Sequence, residues 1–213
     1  MSEVHKRLME MVVSGDRAGI VAATRQALEA GADAQSLIDD GLTEGMKTVG
    51  RRFKTGELFL PEVLRSAQAM DDALDLLRPI LSASGTAGAK KILIGTVEGD
   101  IHSIGKDLVA MMLQGAGFRV VNLGVDVKPR AFVDAVTEHD PSVLAMSALL
   151  TTTMPMLGKT ITALEEAGLR TQVKVIVGGA PVTPGLSSDI GADGYARNAG
   201  EAVDVVSSLL DGA

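Results

Sequence analysis

The chain contains no cysteine. That excludes disulfides, a cysteine nucleophile and any thiolate-held zinc or iron–sulfur centre. Histidine is almost as scarce, with only His5, His102 and His139 in the whole chain. Imidazoles so widely separated do not make an all-protein metal cage, so metal chemistry would need carboxylates or a cofactor that brings ligands of its own. No apolar run is long enough to span a bilayer, and Met1 to Lys6 lacks the cationic-then-apolar pattern of a secretory signal. The expectation is a cytoplasmic protein with no membrane partner. Basic clusters are missing as well, and the formal net charge is −7. The field of the chain then opposes a phosphate backbone, and no nucleic-acid partner is expected.

What is present divides into two regimes. Residues 2 to about 83 read as helices only. Val4 to Val13 is amphipathic and ends at Ser14-Gly15. Asp16 can cap a second helix, Arg17 to Ala30, that ends at Gly31, and Asp33 a third from Ala34 through Phe53 that ends near Gly56. A fourth runs from Pro61 to about Leu81, with Glu62 favourable beside its N-terminus. Short connections between four helices predict a small antiparallel bundle. The ten methionines are read as packing. Ser82 to Ala89 is small, polar and rich in Gly and Ser, the composition of a flexible linker. The expected division is therefore 1–83 helical, 84–90 linker and 91–213 a second domain.

After the linker, strands are expected near Lys91–Val97, Arg119–Leu123, Ser142–Ser147, Val173–Val177 and Asp193–Ala196. Helices are expected near Ser103–Ala116, Pro129–Glu138, Pro155–Ala167, Pro184–Ile190 and Ala199–Leu210. This alternation predicts an α/β fold, a five-stranded parallel sheet with helices on both faces in the flavodoxin-like order 2-1-3-4-5.

The stretch Val97-Glu98-Gly99-Asp100-Ile101-His102-Ser103-Ile104-Gly105 follows the first strand and precedes a helix. Loops at the carboxyl edge of a parallel sheet are where ligands bind, so an Asp and a His two residues apart are placed for chemistry. Ser147 to Thr153 follows the third strand, Gly178-Gly179 the fourth, and Tyr195 to Ala199 the fifth. Taken singly, each has a structural explanation: Asp100 or Ser103 as a helix cap, the hydroxyls as loop hydrogen bonds, the glycines as a tight turn. In the order 2-1-3-4-5 their loops fall along one edge, and that convergence marks a site.

The pattern Asp100-x-His102-x-x-Gly105 resembles the cobalt-binding signature of the cobalamin-binding domains of methionine synthase and of small corrinoid proteins in methyltransferase systems. Ser147-Ala148-Leu149 matches that family's Ser-x-Leu, and Gly178-Gly179 its paired glycines. Residues 45–62 look like the turn of the helical cap that precedes the domain in the family. The resemblance implies a cobalamin or related corrinoid bound with its lower base displaced, and His102 as axial cobalt ligand. A corrin ring supplies four equatorial nitrogens, so one well-placed His suffices. Asp100 would hold the other ring nitrogen and Thr153 would bond to Asp100. Gly99, Ile101, Ser103, Ile104 and Gly105 belong to the same loop. Ser147, Leu149, Thr151, Gly178, Gly179, Tyr195 and Ala199 would line the slot for the displaced tail. Phe53 and Leu60 match positions that shield the metal-bound methyl group, and both also suit a bundle core. Asp39 matches an acidic cofactor-contacting position only weakly.

The function implied is that of a methyl carrier rather than a catalyst, alternating between cob(I)alamin and methylcob(III)alamin. The helices and the sheet use up the chain, leaving no room for a substrate barrel of roughly 250 residues. The implied partners are a methyl-donor methyltransferase, a second methyltransferase acting on tetrahydrofolate or coenzyme M, and a reductive activator. His102 would release when cobalt is reduced, with Asp100 and Thr153 taking part in the proton movement. The cap would have to move, with the Gly-Ser linker as hinge. A cobalamin-dependent sensor and the small subunit of an adenosylcobalamin enzyme are the alternatives.

Overall fold

The computed structural model describes residues 2–84 and 90–211. Two compact units emerge, Met1–Ala89 with Gln114–Gly117, and Lys90–Leu113 with Phe118–Ala213.

The first unit is built from α1 (Glu3–Ser14), α2 (Arg17–Glu29), the short α3 (Ala34–Ser36), a π-helical stretch Leu37–Thr43, α4 (Glu44–Lys54) and α5 (Leu60–Ser84). Local chemistry accounts for the starts. Ser2 and His5 form a reciprocal cap on α1, Asp16 accepts from the Gly19 N–H at 2.9 Å, and Asp33 accepts from the Ser36 N–H at 2.8 Å. Glu62 reaches back to the Phe59 N–H at 2.8 Å, which frees α5 from an unpaired donor at its first turn. Gly15 ends α1 in the left-handed region, φ 69°. The core is aliphatic, with Leu8, Val12, Ile20, Leu37, Leu42, Val49, Val63 and Leu77 buried. Close packing of α1 depends on two glycines four residues apart: a Cβ on Gly41 would lie 3.3 Å from Leu8 Cβ, and one on Gly45 2.8 Å from Val12 Cβ.

Two expectations change here. The expected third helix, Ala34 through Phe53, is one helical run that widens to π geometry over Leu37–Thr43. The fourth runs past Leu81 to Ser84 with Pro79 inside it, so the expected linker loses its first residues, Ser82–Ser84, to the helix. The rest of that linker falls largely on residues 85–89, outside the described residues.

The second unit alternates β1 (Lys91–Thr96), α6 (Ile104–Gly115), β2 (Arg119–Asn122), α7 (Pro129–His139), β3 (Val143–Ser147), α8 (Pro155–Glu166), β4 (Lys174–Gly178), α9 (Pro184–Asp189), β5 (Gly194–Ala196) and α10 (Ala199–Asp211). All strand pairs are parallel, in the order 2-1-3-4-5. The central strands are buried on both faces, which is why they read as unbroken apolar runs. Leu93, Leu144, Met146, Val175 and Val177 pack with Phe132 and Val136 of α7 and Leu157, Ile161 and Leu164 of α8. Ile92, Ile94, Val143, Ala145 and Ile176 pack on the opposite face with Ala110 and Leu113 of α6 and Val206 of α10. Register then fixes the carboxyl edge: Thr96, Ser147, Gly178 and Ala196 stand side by side in one row. Side chains alternate along a strand, so this row belongs to the α6/α10 face. A two-carbon hydroxyl side chain, a one-carbon hydroxyl, no side chain and a methyl succeed one another along it.

Candidate functional site

Asp100 is the anchor of the site. Its side chain has no solvent exposure, and five donors converge on the carboxylate. Oδ1 accepts from His102 N–H at 3.1 Å and from the His102 ring at Nδ1 at 2.7 Å. Oδ2 accepts from Leu149 N–H at 2.7 Å, Leu150 N–H at 3.3 Å and the Thr153 hydroxyl at 2.9 Å. Burial on its own would raise the pKa of this carboxyl. The hydrogen bonds from Leu149, His102 and Thr153 outweigh it and hold the group well below the usual carboxylate range. Asp100 is therefore an anion at any physiological pH and can only accept. It follows that Nδ1 of His102 carries a proton, so in the neutral ring the lone pair is on Nε2. The His102 side chain is 47% exposed. A half-exposed imidazole held at Nδ1 by a buried carboxylate leaves Nε2 facing outward, an arrangement that could hold a metal.

The loop that carries His102 is held at several points. Gly99 has φ 80°, a left-handed conformation, and its N–H donates to Asp126 Oδ1 at 2.7 Å. Asp126 adopts φ 55° and donates its own N–H to the Asp100 carbonyl at 3.0 Å. Thr96 places its hydroxyl 2.9 Å from the His102 carbonyl and 2.9 Å from Ser147 Oγ. Beyond the loop, the ammonium of Lys106 is buried against Asp107 and lies 2.8 Å from Asn122 Oδ1, tying the first turn of α6 to the end of β2. Sequence reasoning missed Thr96, Asp126, Lys106 and Asn122. The register of β1 against β3 brings Thr96 to Ser147, the return of the β2–α7 loop brings Asp126, and the pairing of β1 with β2 brings Asn122 to Lys106.

Exposed apolar side chains occur next to His102 in the chain and on the segment that bonds to Asp100. Ile101 is 76% exposed and Ile104 72%, with Leu149 and Leu150 also exposed. Of the six large apolar side chains exposed among the described residues, Ile101, Leu149 and Leu150 lie on the two loops that carry or hold His102, and Ile104 opens α6 just after the first of them. Gly105 adds a second signal. Its φ lies outside the left-handed region and a Cβ there would meet nothing within 4 Å. Neither backbone conformation nor packing within the protein calls for glycine at the first turn of α6, where glycine costs stability. The space beside it is open. A flat apolar macrocycle with a vacant metal position fits these features: exposed aliphatics to cover, a fixed Nε2 to coordinate, and an open glycine beside it.

The other expected residues divide. Asp100, His102, Thr153 and Leu149 are brought into direct contact, Leu149 through its backbone N–H rather than its side chain. Ser103 precedes α6 and its carbonyl accepts from Asp107 N–H. Ser147 and Gly178 share the edge row, and buried Ala199 opens α10 on the same face. Thr151 is exposed in the turn before α8. Gly178 and Gly179 have internal reasons to be glycine: a Cβ would lie 2.8 Å from the Ala196 carbonyl oxygen in the first and 1.9 Å from that of Ala148 in the second, where φ is 126°. Tyr195 is a correction to the expected slot. It packs with the α7/α8 core, on the face opposite the row, because it is registered with Val177 rather than with Gly178. Phe53, near the end of α4, and Leu60, at the start of α5, are half-buried, and Phe59 beside Leu60 is 70% exposed. The Gln35 amide donates to the Asp39 carboxylate at 3.0 Å.

Fold and site together define a parallel α/β domain with one braced imidazole at the carboxyl edge of its sheet, and the family comparison gives the class of ligand such domains bind. A B12 binding domain family model matches residues 90–204, and a second B12 binding domain model matches residues 4–78. The chain is 46% identical over 211 residues to the trimethylamine corrinoid protein of Methanosarcina barkeri, covering 98% of this chain and 97% of that one. It is 43% identical over 210 residues to trimethylamine corrinoid protein 1 of Methanosarcina acetivorans, with 98% and 97% covered. Among solved structures, the methanol:cobalamin methyltransferase complex of Methanosarcina barkeri aligns with a TM-score of 0.86 at 30% identity, covering 100% of this chain and 81% of that one. A cobalamin-binding protein from Desulfitobacterium hafniense aligns at 0.76 and 33% identity, with 95% and 96% covered. The chain belongs to the family of B12-binding corrinoid proteins homologous to the trimethylamine corrinoid proteins of methyltransferase systems. Among the described residues no helix is long and apolar enough to cross a membrane.

Proposed function

We propose that this corrinoid protein is a methyl carrier that holds its cofactor through Nε2 of His102, with the cofactor's own lower base displaced. When bound, the corrinoid supplies a cobalt centre able to accept a methyl group from one enzyme and deliver it to another. The observation that carries the reading is the fixed tautomer: a buried anion with five donors keeps the proton on Nδ1 and the lone pair on Nε2. Asp100 fixes the orientation of the imidazole through Nδ1, and Thr153 holds Asp100 in place.

Gly105 leaves the space through which the displaced tail passes, and Ser147 and Thr151 offer it hydroxyls. Phe53 and Leu60 are assigned to shielding the methyl group on the resemblance of residues 45–62 alone. For partners, a methyl-donor methyltransferase, a second one acting on tetrahydrofolate or coenzyme M, and a reductive activator fit the carrier role. The names of the relatives favour a methylamine as donor, trimethylamine first.

The test is reconstitution of the full chain with cobalamin. In the cobalt(II) state, chain labelled with nitrogen-15 histidine should show the label in the electron paramagnetic resonance spectrum, and His102→Gln should abolish it. Methylation should then require an added methylamine methyltransferase. An unlabelled-benzimidazole spectrum in the parent would refute the proposed ligation.

A further inference from the structure

We propose that Thr96 is a positioning residue that couples Ser147, on the tail side of the sheet edge, to the loop that carries His102. The inference rests on the proposed axial role of His102. Thr96 ends β1, is buried, and is registered beside Ser147 of β3. Its hydroxyl is 2.9 Å from the carbonyl of His102 and 2.9 Å from Ser147 Oγ.

The direction of these bonds follows from chemistry. A carbonyl only accepts, so the single Thr96 proton goes to His102. In the second contact Thr96 must therefore accept, and Ser147 is the donor. The chain of donation runs from Ser147 to Thr96 to the backbone of His102. Each hydroxyl in such a chain polarises the next, so the strength of the Thr96 bond depends on what Ser147 does with its proton. A ligand atom that takes the Ser147 proton leaves two hydroxyl oxygens facing each other with one proton between them. Thr96 then turns to Ser147 and lets the His102 carbonyl go. A ligand beside Ser147 and Gly178 is in this way felt at the imidazole, without any contact between tail and ring. The Thr96 hydroxyl bonds the backbone of His102 and Ser147 rather than the ring, which makes it a positioning group.

The experiment uses the full chain loaded with cobalamin, and reads the pH at which histidine coordination is lost from the visible spectrum. Thr96→Val removes the hydroxyl at nearly constant shape, Thr96→Ser keeps it, and Ser147→Ala removes the first donor. T96V should shift the histidine dissociation equilibrium about fivefold, the value of one hydrogen bond, and T96S should stay within about twofold of the parent. Ser147→Ala should shift the equilibrium in the parent background and leave it unmoved in the T96V background. A T96V equilibrium equal to the parent's, or additive effects of the two substitutions, overturns the proposal. A second readout needs no cofactor: the carbon-13 shift of the His102 carbonyl should move in T96V and also in Ser147→Ala, and no movement in the latter overturns the coupling. If the parent never shows histidine coordination, the axial reading fails, while the carbonyl shift still decides the coupling.

Discussion

Replacing Asp100 by Asn keeps the shape of the side chain and changes what it can accept. The carboxylate receives five donors, whereas an amide offers one oxygen and two hydrogens of its own. With its NH2 toward β3, the amide would confront two backbone N–H groups, of Leu149 and Leu150. With its oxygen toward β3, it confronts only the His102 N–H and the ring. The second arrangement loses less, and the ring conflict is relieved by moving the imidazole proton from Nδ1 to Nε2. Asp100→Asn should thus invert the tautomer and take away the lone pair that coordinates, the same logic by which an Asp→Asn change misdirects a catalytic His. Three surviving bonds fall from charge-assisted to neutral, about 1 kcal/mol each, and one buried N–H goes unpaired at about 1–3 kcal/mol. Relief from burying a charge offsets part of this, for a net loss of about 3 kcal/mol at pH 7. The native pKa of Asp100 lies below its unfolded value of about 4. Its contribution is therefore complete above about pH 4 and is lost as the pH falls toward the native value, so the gap between parent and variant narrows in acid. Denaturant midpoints at pH 7 and pH 3 give the stability, and nitrogen-15 shifts of His102 in the cofactor-free protein give the tautomer. A variant that keeps the proton on Nδ1, or loses less than about 0.5 kcal/mol at pH 7, refutes the reasoning.

Two glycines give opposite predictions. Gly105→Ala adds a Cβ that meets nothing in the protein, so thermal unfolding should show the cofactor-free chain gaining about 0.5–1 kcal/mol. Titration with cobalamin should show affinity falling about tenfold as the methyl enters space meant for the ligand. Gly179→Ala should cost about 3 kcal/mol or more in the cofactor-free chain, since its Cβ would lie 1.9 Å from the Ala148 carbonyl oxygen at φ 126°.

The architecture of residues 90–211 was legible because each signal had a single physical cause. Strands buried on both faces are unbroken runs of Ile, Leu and Val, and the helices between them start at Pro129, Pro155 and Pro184, where proline needs no hydrogen-bond partner. Strand and helix bounds fall within two residues of expectation for that reason. The π-helical stretch Leu37–Thr43 was not legible. A π turn shifts apolar spacing by less than a residue, and the burial of Leu37, Ile38 and Leu42 is compatible with an α-helix as well. The extension of α5 to Ser84 was hidden by composition, since Ser82, Ala83 and Ser84 read as linker, although serine and alanine are tolerated in helices.

In the candidate site, the residues legible in the sequence were those whose chemistry is local. Asp100 and His102 are two apart in one loop, and a motif is enough to find them. Thr96, Asp126 and Thr153 act across 6, 27 and 53 positions of sequence, and only strand order brings them together. Thr153 came from the family pattern, while Thr96 and Asp126 had no such guide. The glycines show the other limit of sequence. Gly105, Gly178 and Gly179 look alike in a motif, yet the last two are needed because neighbouring carbonyl oxygens stand within 2.8 Å and 1.9 Å of an added Cβ, and the first has nothing near it. Open space beside Gly105 and crowded backbone beside Gly178 and Gly179 are therefore distinguishable only in the structure, and the opposite outcomes expected for Gly105→Ala and Gly179→Ala follow from that difference.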